Sequence, residues 1–309
     1  GILESMPEAE RVAQVRVIDS DLEGSTGLKG IRTAHPEVCV NGGVQERGNF
    51  SAAAGFGFDT DERQGIFSTF SAFLEMVVSE ATMARLNEAN MICHFSHAGV
   101  DDMADNTCHY GINIFLADSA LPEADHTRLY FAADAAQLAQ IVPAIWNDKG
   151  VRFVFSTRSK VPFILREDGS KFFEGDYCFE KGKDEAIRAG SAGYVVSYGE
   201  MLYRALDAVE RAREAGLDVG LINKPTLNVV DEDMMQQLGA APFVLVVEAQ
   251  NVLTGLGSRF GTWLLTRGLA PKYDHLGVRK PGRGGLGEHV IYHGIDPDSI
   301  LAKINQMAG

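Results

Sequence analysis

A chain of 309 residues, 45% hydrophobic and 23% charged, has the make-up of an ordinary globular protein and the length for two domains, each burying its own core. A net charge of -14 and a pI near 5.0 argue against a nucleic-acid surface or an anionic membrane as partner, and an anionic substrate would need a local basic pocket. Cys39, Cys93, Cys108 and Cys178 are widely spaced with no C-x-x-C pair, which disfavours a disulfide framework or a zinc site and fits a reducing, cytoplasmic setting. No apolar run approaches the ~20 residues of a membrane span.

Taken in order, the chain starts abruptly. Gly1 is followed at once by I-L-E-S-M-P-E-A-E-R, which reads as a helix already under way, so a natural polypeptide that begins earlier is expected. Val12 to Ile18 then reads as a strand ending in the acidic loop D-S-D-L-E-G-S-T-G, at the kind of C-terminal strand edge where α/β sheets place ligands. Leu28 to Ala34 is a short helix. Val38 to Val40 leads into N-G-G-V-Q-E-R-G-N-F-S-A-A-A-G-F, where Glu46 stands between a strand end and a helix start built of small residues. A carboxylate there lies near the domain surface but is poorly hydrated, suited to hold or share a proton. Phe67, Phe70 and Phe73 follow at helical spacing, a flat wall on which a ring can stack, with Phe70 to Asn87 reading as one long helix. A capping glutamate and core phenylalanines are the plainer account of each feature alone; together they suggest a heteroaromatic cofactor.

Met91 to Phe95 is a short buried strand that delivers Ser96 and His97 to the loop S-H-A-G-V-D-D-M-A-D-N-T-C-H-Y. His97, Asp101, Asp102, Asp105 and His109 fall within thirteen residues, so a metal site competes with presentation of neutral imidazoles to a substrate. The second is preferred, and solvated loop charges are the plain account of Asp101 and Asp102. L-Y-F-A-A-D, an amphipathic helix A-A-Q-L-A-Q-I-V-P-A-I-W and the strand V-R-F-V-F-S-T-R follow. The last ends on Arg158, a guanidinium on the ligand-bearing edge suited to bidentate phosphate binding. A charged, Gly-rich stretch from Arg166 to Ala192 separates this half from a second α/β unit with strands at G-Y-V-V-S-Y-G, L-D-V-G-L-I-N and F-V-L-V-V-E-A. The predicted architecture is α/β, two doubly wound domains with mainly parallel sheets at residues 1–170 and 193–309, joined by a connector at 171–192. G-R-G-G-L-G at Gly282 to Gly287 follows Arg-Lys-Pro rather than a strand and is discounted as a dinucleotide motif. G-L-G-S-R-F-G from Gly255 precedes a helix whose free amides suit an anion.

G-G-V-Q-E-R-G-N-F resembles the segment of transketolases that carries the glutamate contacting the aminopyrimidine ring of thiamine diphosphate. The histidine loop is similar to that family's H-D-S-I-G-x-G-E-D-G-P-T-H-Q, matching at His97, Asp105 and His109 and departing at Ala98, Asn106 and Thr107. D-S-D-L-E-G-S falls on the family's S-A-D-L-T-P-S at Asp21 and Ser25, and Arg158 on its S-R-Q arginine. V-V-S-Y-G-E-M, I-N-K-P-T-L-N-V-V-D and V-V-E-A-Q-N-V-L-T-G-L-G-S resemble the C-terminal domain of transketolases and of 2-oxoacid dehydrogenase β-subunits.

The resemblance implies a pyrimidine-binding domain followed by a transketolase C-terminal domain. It places Glu46, Phe70, Phe73 and Asp21 at thiamine diphosphate, makes Glu46, His97 and His109 catalytic, and gives Ser25, His97, Asp105 and Arg158 to sugar-phosphate substrates. The family binds the diphosphate through Mg2+ held by a G-D-G…N motif, and Gly175-Asp176-Tyr177 lacks its second glycine. No metal ligand is therefore expected in this chain, and a separate diphosphate-binding domain or subunit would hold the ion. The implied activity is transfer of a two-carbon ketol unit between sugar phosphates, as in the pentose phosphate pathway of carbohydrate metabolism. The implied assembly is a homodimer or heterotetramer, with the chain either one subunit of a split enzyme or part of a longer one. A 2-oxoacid dehydrogenase β-subunit, a deoxyxylulose-phosphate synthase and a non-catalytic homologue are the alternatives.

Overall fold

Runs rich in Val, Ile and Phe, buried on both faces, form the central strands of two helix-covered sheets, as parallel pairing requires. The computed structural model describes residues 1–58, 62–101, 109–119, 126–280 and 287–309. The first sheet contains β1 (Val15–Asp19), β2 (Cys39–Asn41), β3 (Gln64–Phe70), β4 (Met91–Ser96), β5 (Arg128–Phe131) and β6 (Val151–Phe155). Its spatial order is β2-β1-β3-β4-β6-β5 and every pair is parallel. The second contains β7 (Glu185–Arg188), β8 (Gly193–Ser197), β9 (Val219–Asn223), β10 (Phe243–Asn251) and β11 (Lys272–Val278), in the order β11-β10-β8-β9-β7. Only β7 runs antiparallel, along β9. The chain is thus α/β with two doubly wound, mainly parallel sheets, as its alternating pattern predicts.

Three local readings change. Val12 and Ala13 belong to the helix Glu8–Gln14, and the strand begins at Val15. The predicted long helix from Phe70 to Asn87 divides: β3 runs through Phe70, a 3-10 turn spans Ser71–Met76, and the helix is Val78–Leu86. In Q-G-I-F-S-T-F the aromatic and β-branched side chains fit a strand flanked on both sides, and this overrides an aromatic spacing of three. Phe67 and Phe70 then point to opposite faces, so the expected three-ring wall loses Phe67, which has 0% exposure and meets Phe50 and Phe95 edge-on at 5.2 and 5.8 Å. The connector, finally, supplies β7 itself.

The two sheets dock through backbone as well as side chains. Phe131 N–H donates to Pro225 O at 3.0 Å, Leu227 N–H to Leu129 O at 2.8 Å, and Val100 N–H to Ala249 O at 3.3 Å. One apolar cluster runs from Phe67 and Phe95 in the first sheet to Val196 and Val246 in the second. Lys224, with 0% side-chain exposure, sits beneath this junction, donating to Asp184 Oδ1 at 2.8 Å and to Val229 O at 2.7 Å. Glu200 braces the other side. Gly99 has φ +83°, and a Cβ there would stand 2.2 Å from Glu200 Oε1 and 2.8 Å from Ala249 Cβ, so only glycine permits this approach. Burial pushes the Glu200 carboxyl up to about 8, with Asp101 adding to the shift.

Two outcomes follow from these buried charges. Lys224→Ala strands Asp184 and should lower unfolding free energy by about 3–5 kcal/mol in urea titrations. Glu200 keeps its proton when folded and loses it near pH 4.5 when unfolded, so the folded state binds more protons above that pH and stability declines as pH rises through about 8. The melting temperature should fall between pH 6.5 and pH 8.5, and more shallowly in Glu200→Gln; equal slopes would contradict the assignment.

Candidate active site

Parallel strands bring their C-terminal ends to one edge, and the register levels three of them. Phe70 ends β3 opposite Ser96 at the end of β4, and Phe95 lies opposite Phe155 at the end of β6. His97 leaves β4 with φ +59°, a left-handed conformation that costs a non-glycine residue of order 1 kcal/mol or more. Three hydrogen bonds hold the turn: Ala98 N–H donates to Ser156 O at 3.0 Å, Gly99 N–H to Gly111 O at 2.8 Å, and Gly111 N–H to His97 O at 3.0 Å.

This backbone puts the His97 ring 4.0 Å from that of Phe70, whose other neighbours are His109 at 5.3 Å, edge-on, and Phe73 at 5.9 Å, stacked at 22°. His97 Nδ1 lies 2.9 Å from Ser96 Oγ, and Nε2 lies 3.2 Å from Arg158 Nη1. A guanidinium only donates, so in this arrangement Nε2 accepts and Nδ1 carries the hydrogen. Phe70, Phe73, His97, His109 and Arg158 are therefore brought together. Asp105 falls outside the described residues.

Glu46, Asp21 and Ser25 occupy the same edge on the side of β1 and β2, apart from that cluster. Glu46 opens the helix Glu46–Phe56 with 5% exposure, and its carboxylate has no hydrogen-bond partner among the described residues. One turn on, Asn49 Nδ2 donates to Ser20 Oγ at 3.1 Å and Gly43 O at 2.9 Å, tying this helix start to the end of β1. Asp21 is exposed, at φ +64°, accepting from Asn41 Nδ2 at 2.8 Å, and Ser25 is exposed on the short helix Glu23–Thr26.

Sequence reasoning overlooks three residues here. Asp19 is the buried carboxylate of the first loop; its Oδ2 accepts from the amides of Leu22 and Glu23 at 2.7 and 3.0 Å, and burial outweighs those bonds to raise its pKa. Asp101, expected to be a solvated charge, is buried and accepts from Thr157 Oγ1 at 3.1 Å and Ser159 N–H at 3.0 Å, so it fixes the backbone on both sides of Arg158. His94 lies between Ser68 Oγ at 3.0 Å and Ser156 Oγ at 2.9 Å, and burial lowers its pKa to about 4. Its signal was visible, a single polar residue in the apolar run M-I-C-H-F.

The amides after Gly255 do hold an anion, and it is the protein's own. Leu256 and Gly257 N–H each donate to Glu248 at 2.8 Å, Tyr198 OH adds a bond of 2.7 Å, and burial pushes that carboxyl up to about 7. Among the described residues no group of three His, Cys, Asp or Glu side chains is placed to hold a metal ion. No helix among them is long and apolar enough to cross a membrane.

A strand edge carrying an aromatic wall, two imidazoles, a guanidinium and an unpartnered buried carboxylate can bind a flat ring and an anionic, hydroxylated substrate. Comparison with known proteins agrees with the fold. An uncharacterized transketolase family protein of Sinorhizobium fredii is 28% identical over 96% of this chain and 85% of its own length. A protein of Methanocaldococcus jannaschii named as a transketolase C-terminal section is 26% identical, covering 93% of this chain and 88% of that one. The solved structure of a split-gene transketolase, described as an inactive β4 tetramer, superposes with a TM-score of 0.78 at 22% identity, covering 97% and 96% of the two chains. The transketolase pyrimidine binding domain matches residues 6–163 and the transketolase C-terminal domain residues 182–300, and the chain belongs to the transketolase family.

Proposed function

We propose that this chain supplies the pyrimidine-binding and C-terminal domains of a thiamine-diphosphate-dependent transketolase, moving a two-carbon ketol unit between sugar phosphates. It acts with a domain or subunit that binds the diphosphate and Mg2+. The observation that carries this reading is the convergence of Phe70, Phe73, His97, His109 and Arg158 on one strand edge, with Glu46 buried and unpartnered at the same edge. At 5% exposure the Glu46 carboxylate has little room for water and no protein donor among the described residues, and a ring nitrogen of the cofactor would satisfy it.

When bound, the cofactor supplies the carbon nucleophile that breaks and re-forms the carbon–carbon bond. Glu46 would share a proton between its carboxylate and the pyrimidine ring, and Phe73, backed by Phe70, would present a face for that ring. Asp21 would lie beside the cofactor. His97 and His109 would hydrogen-bond substrate hydroxyls, with Asp105 contributing another such bond, while Arg158 and Ser25 would hold the phosphate. The His97–Arg158 contact couples the two tasks, since one guanidinium orients the imidazole and faces the anion. A split enzyme also suits the similarity to a transketolase described as an inactive β4 tetramer, because a chain of this kind would assemble on its own yet need a partner for activity.

The test is reconstitution. With a diphosphate-binding partner, thiamine diphosphate and Mg2+, the complex should transfer the ketol unit from xylulose phosphate to an aldose phosphate, and decarboxylation of pyruvate without ketol transfer would overturn the reading. Glu46→Ala should lower turnover by roughly 10²–10⁴-fold with the melting temperature nearly unchanged. Arg158→Ala should raise KM for phosphorylated substrates roughly 10- to 100-fold, the scale of a lost charge-assisted hydrogen bond, and should lower kcat less. A KM unchanged in that variant would remove Arg158 from the phosphate.

A further inference from the structure

Glu200 stands at the start of the helix Met201–Glu214 in the second domain, 2% exposed, against the turn that carries His97. Its Oε1 is so close to Gly99 that a Cβ there would stand 2.2 Å away, and that oxygen has no hydrogen-bond partner among the described residues. Other buried carboxyls near the domain junction collect donors. Glu248 takes two amides and the Tyr198 hydroxyl, Glu185 takes Tyr177, Gln137 and Asn223, and Asp184 takes Lys224. An ionised Glu200 would have no comparable set, so the neutral acid is the form that this packing accommodates.

The titratable and charged groups that face Glu200 are Asp101 from the turn, Arg204 one turn on in its own helix, and Tyr198 just after β8, whose hydroxyl is given to Glu248. Burial pushes the Glu200 carboxyl up to about 8; Arg204, which donates to the Glu200 carbonyl at 3.2 Å, opposes the rise, and Asp101 adds to it. The turn itself meets the second domain through a long bond, Val100 N–H to Ala249 O at 3.3 Å, and the next residue is the buried Asp101. Asp101 Oδ2 accepts from Thr157 Oγ1 at 3.1 Å and from Ser159 N–H at 3.0 Å, the two neighbours of Arg158, and Arg158 Nη1 lies 3.2 Å from His97 Nε2. A negative charge on Glu200 would therefore be buried beside that of Asp101 without a donor for Oε1. The repulsion is relieved if the turn moves away from the second domain, and the oxygen that fixes Thr157 and Ser159 moves with it.

We propose that Glu200 is a positioning residue for phosphate recognition: in its neutral form it seats the 97–101 turn so that Asp101 sets Arg158, and its ionisation unseats the turn and withdraws Arg158 from the phosphate. The inference rests on the reading of Arg158 as the phosphate ligand. Affinity for a phosphorylated substrate is then full while Glu200 holds its proton and declines as pH rises through about 8. By linkage, a bound phosphate favours the neutral form and makes Glu200 harder to ionise. The substrate's own phosphate titrates near pH ~6 and stays dianionic above pH 7, so it does not produce the decline.

Two measurements on the parent and on Glu200→Gln test this, since the amide keeps the shape of the neutral acid and removes its titration. In the full chain, the isotopically labelled His97 ring, assigned by its absence in His97→Asn, should show a chemical-shift step near pH 8 in the parent and none in Glu200→Gln, whose melting temperature at pH 7 should stay near the parent's. In the complex reconstituted with a diphosphate-binding partner, KM for xylulose phosphate should rise roughly tenfold between pH 7 and pH 9, the scale on which neighbouring carboxylates couple, with kcat nearly unchanged. In Glu200→Gln that KM should stay level, as should KM for the unphosphorylated ketose in either protein. A His97 step that is missing from the parent or persists in Glu200→Gln overturns the proposal, and so does a KM that rises equally in both proteins or rises equally without the phosphate. A complex that transfers no ketol unit counts against the proposed activity, whereas the His97 step needs no turnover and still decides whether Glu200 acts on the Arg158 contact.

Discussion

The turn at residues 97–101 is the constraint on which the arrangement depends. Its backbone is bonded to the end of β6 through Ser156, to the returning segment through Gly111, and to the second domain through Ala249. Three donors and acceptors from three elements leave His97 no freedom to relax its left-handed conformation, so the ring is aimed by the fold rather than by its own preference. The second domain, which among the described residues contributes no ring to the aromatic and imidazole cluster, acts on it by packing Glu200 and Ala249 against Gly99, where a side chain would not fit.

Burial of polar groups follows the same logic on either side of the junction. Glu248, Lys224 and Arg152 are each almost inaccessible, and each is held by short-range partners: an amide pair, a carboxylate, a ring of carbonyls. Such groups add little net stability compared with an apolar equivalent, but they tolerate only one arrangement of their surroundings. Docking itself is carried by the backbone bonds from Phe131 to Pro225, Leu227 to Leu129 and Val100 to Ala249, laid over an apolar cluster common to both sheets.

Much of this is written in local patterns. Alternation of apolar strands with amphipathic helices is enough to give two doubly wound sheets, and V-V-S-Y-G-E-M or G-G-V-Q-E-R-G-N-F is enough to suggest the family. What fails is instructive. Phe67, Phe70 and Phe73 read as a helical stripe because periodicity treats spacing alone, whereas β1 and β4 on either side of β3 impose an alternation of two and send Phe67 to the core. Asp101 reads as solvated because its partners, Thr157 and Ser159, lie more than fifty residues along the chain. Asp19 and Asp21 are indistinguishable by composition, and only the left-handed turn at Asp21 decides which carboxylate faces water. Long-range pairing is what a sequence conceals.

The reversed direction of β7 bears on how this molecule meets others. A doubly wound sheet leaves two open margins, each a row of backbone groups able to recruit a strand from a neighbouring chain. At one margin the connector folds back as a strand of only four residues, interrupted by a register shift after Ala186, and Glu185 is anchored by Gln137 of the first domain at 2.9 Å. Such a border offers a foreign strand too few aligned groups to grip. Polymerisation by sheet extension is thereby discouraged at that margin, and contact between molecules is steered toward side-chain surfaces, where Met83 and Leu86 of one helix and Leu253 and Leu265 of the other domain stand exposed.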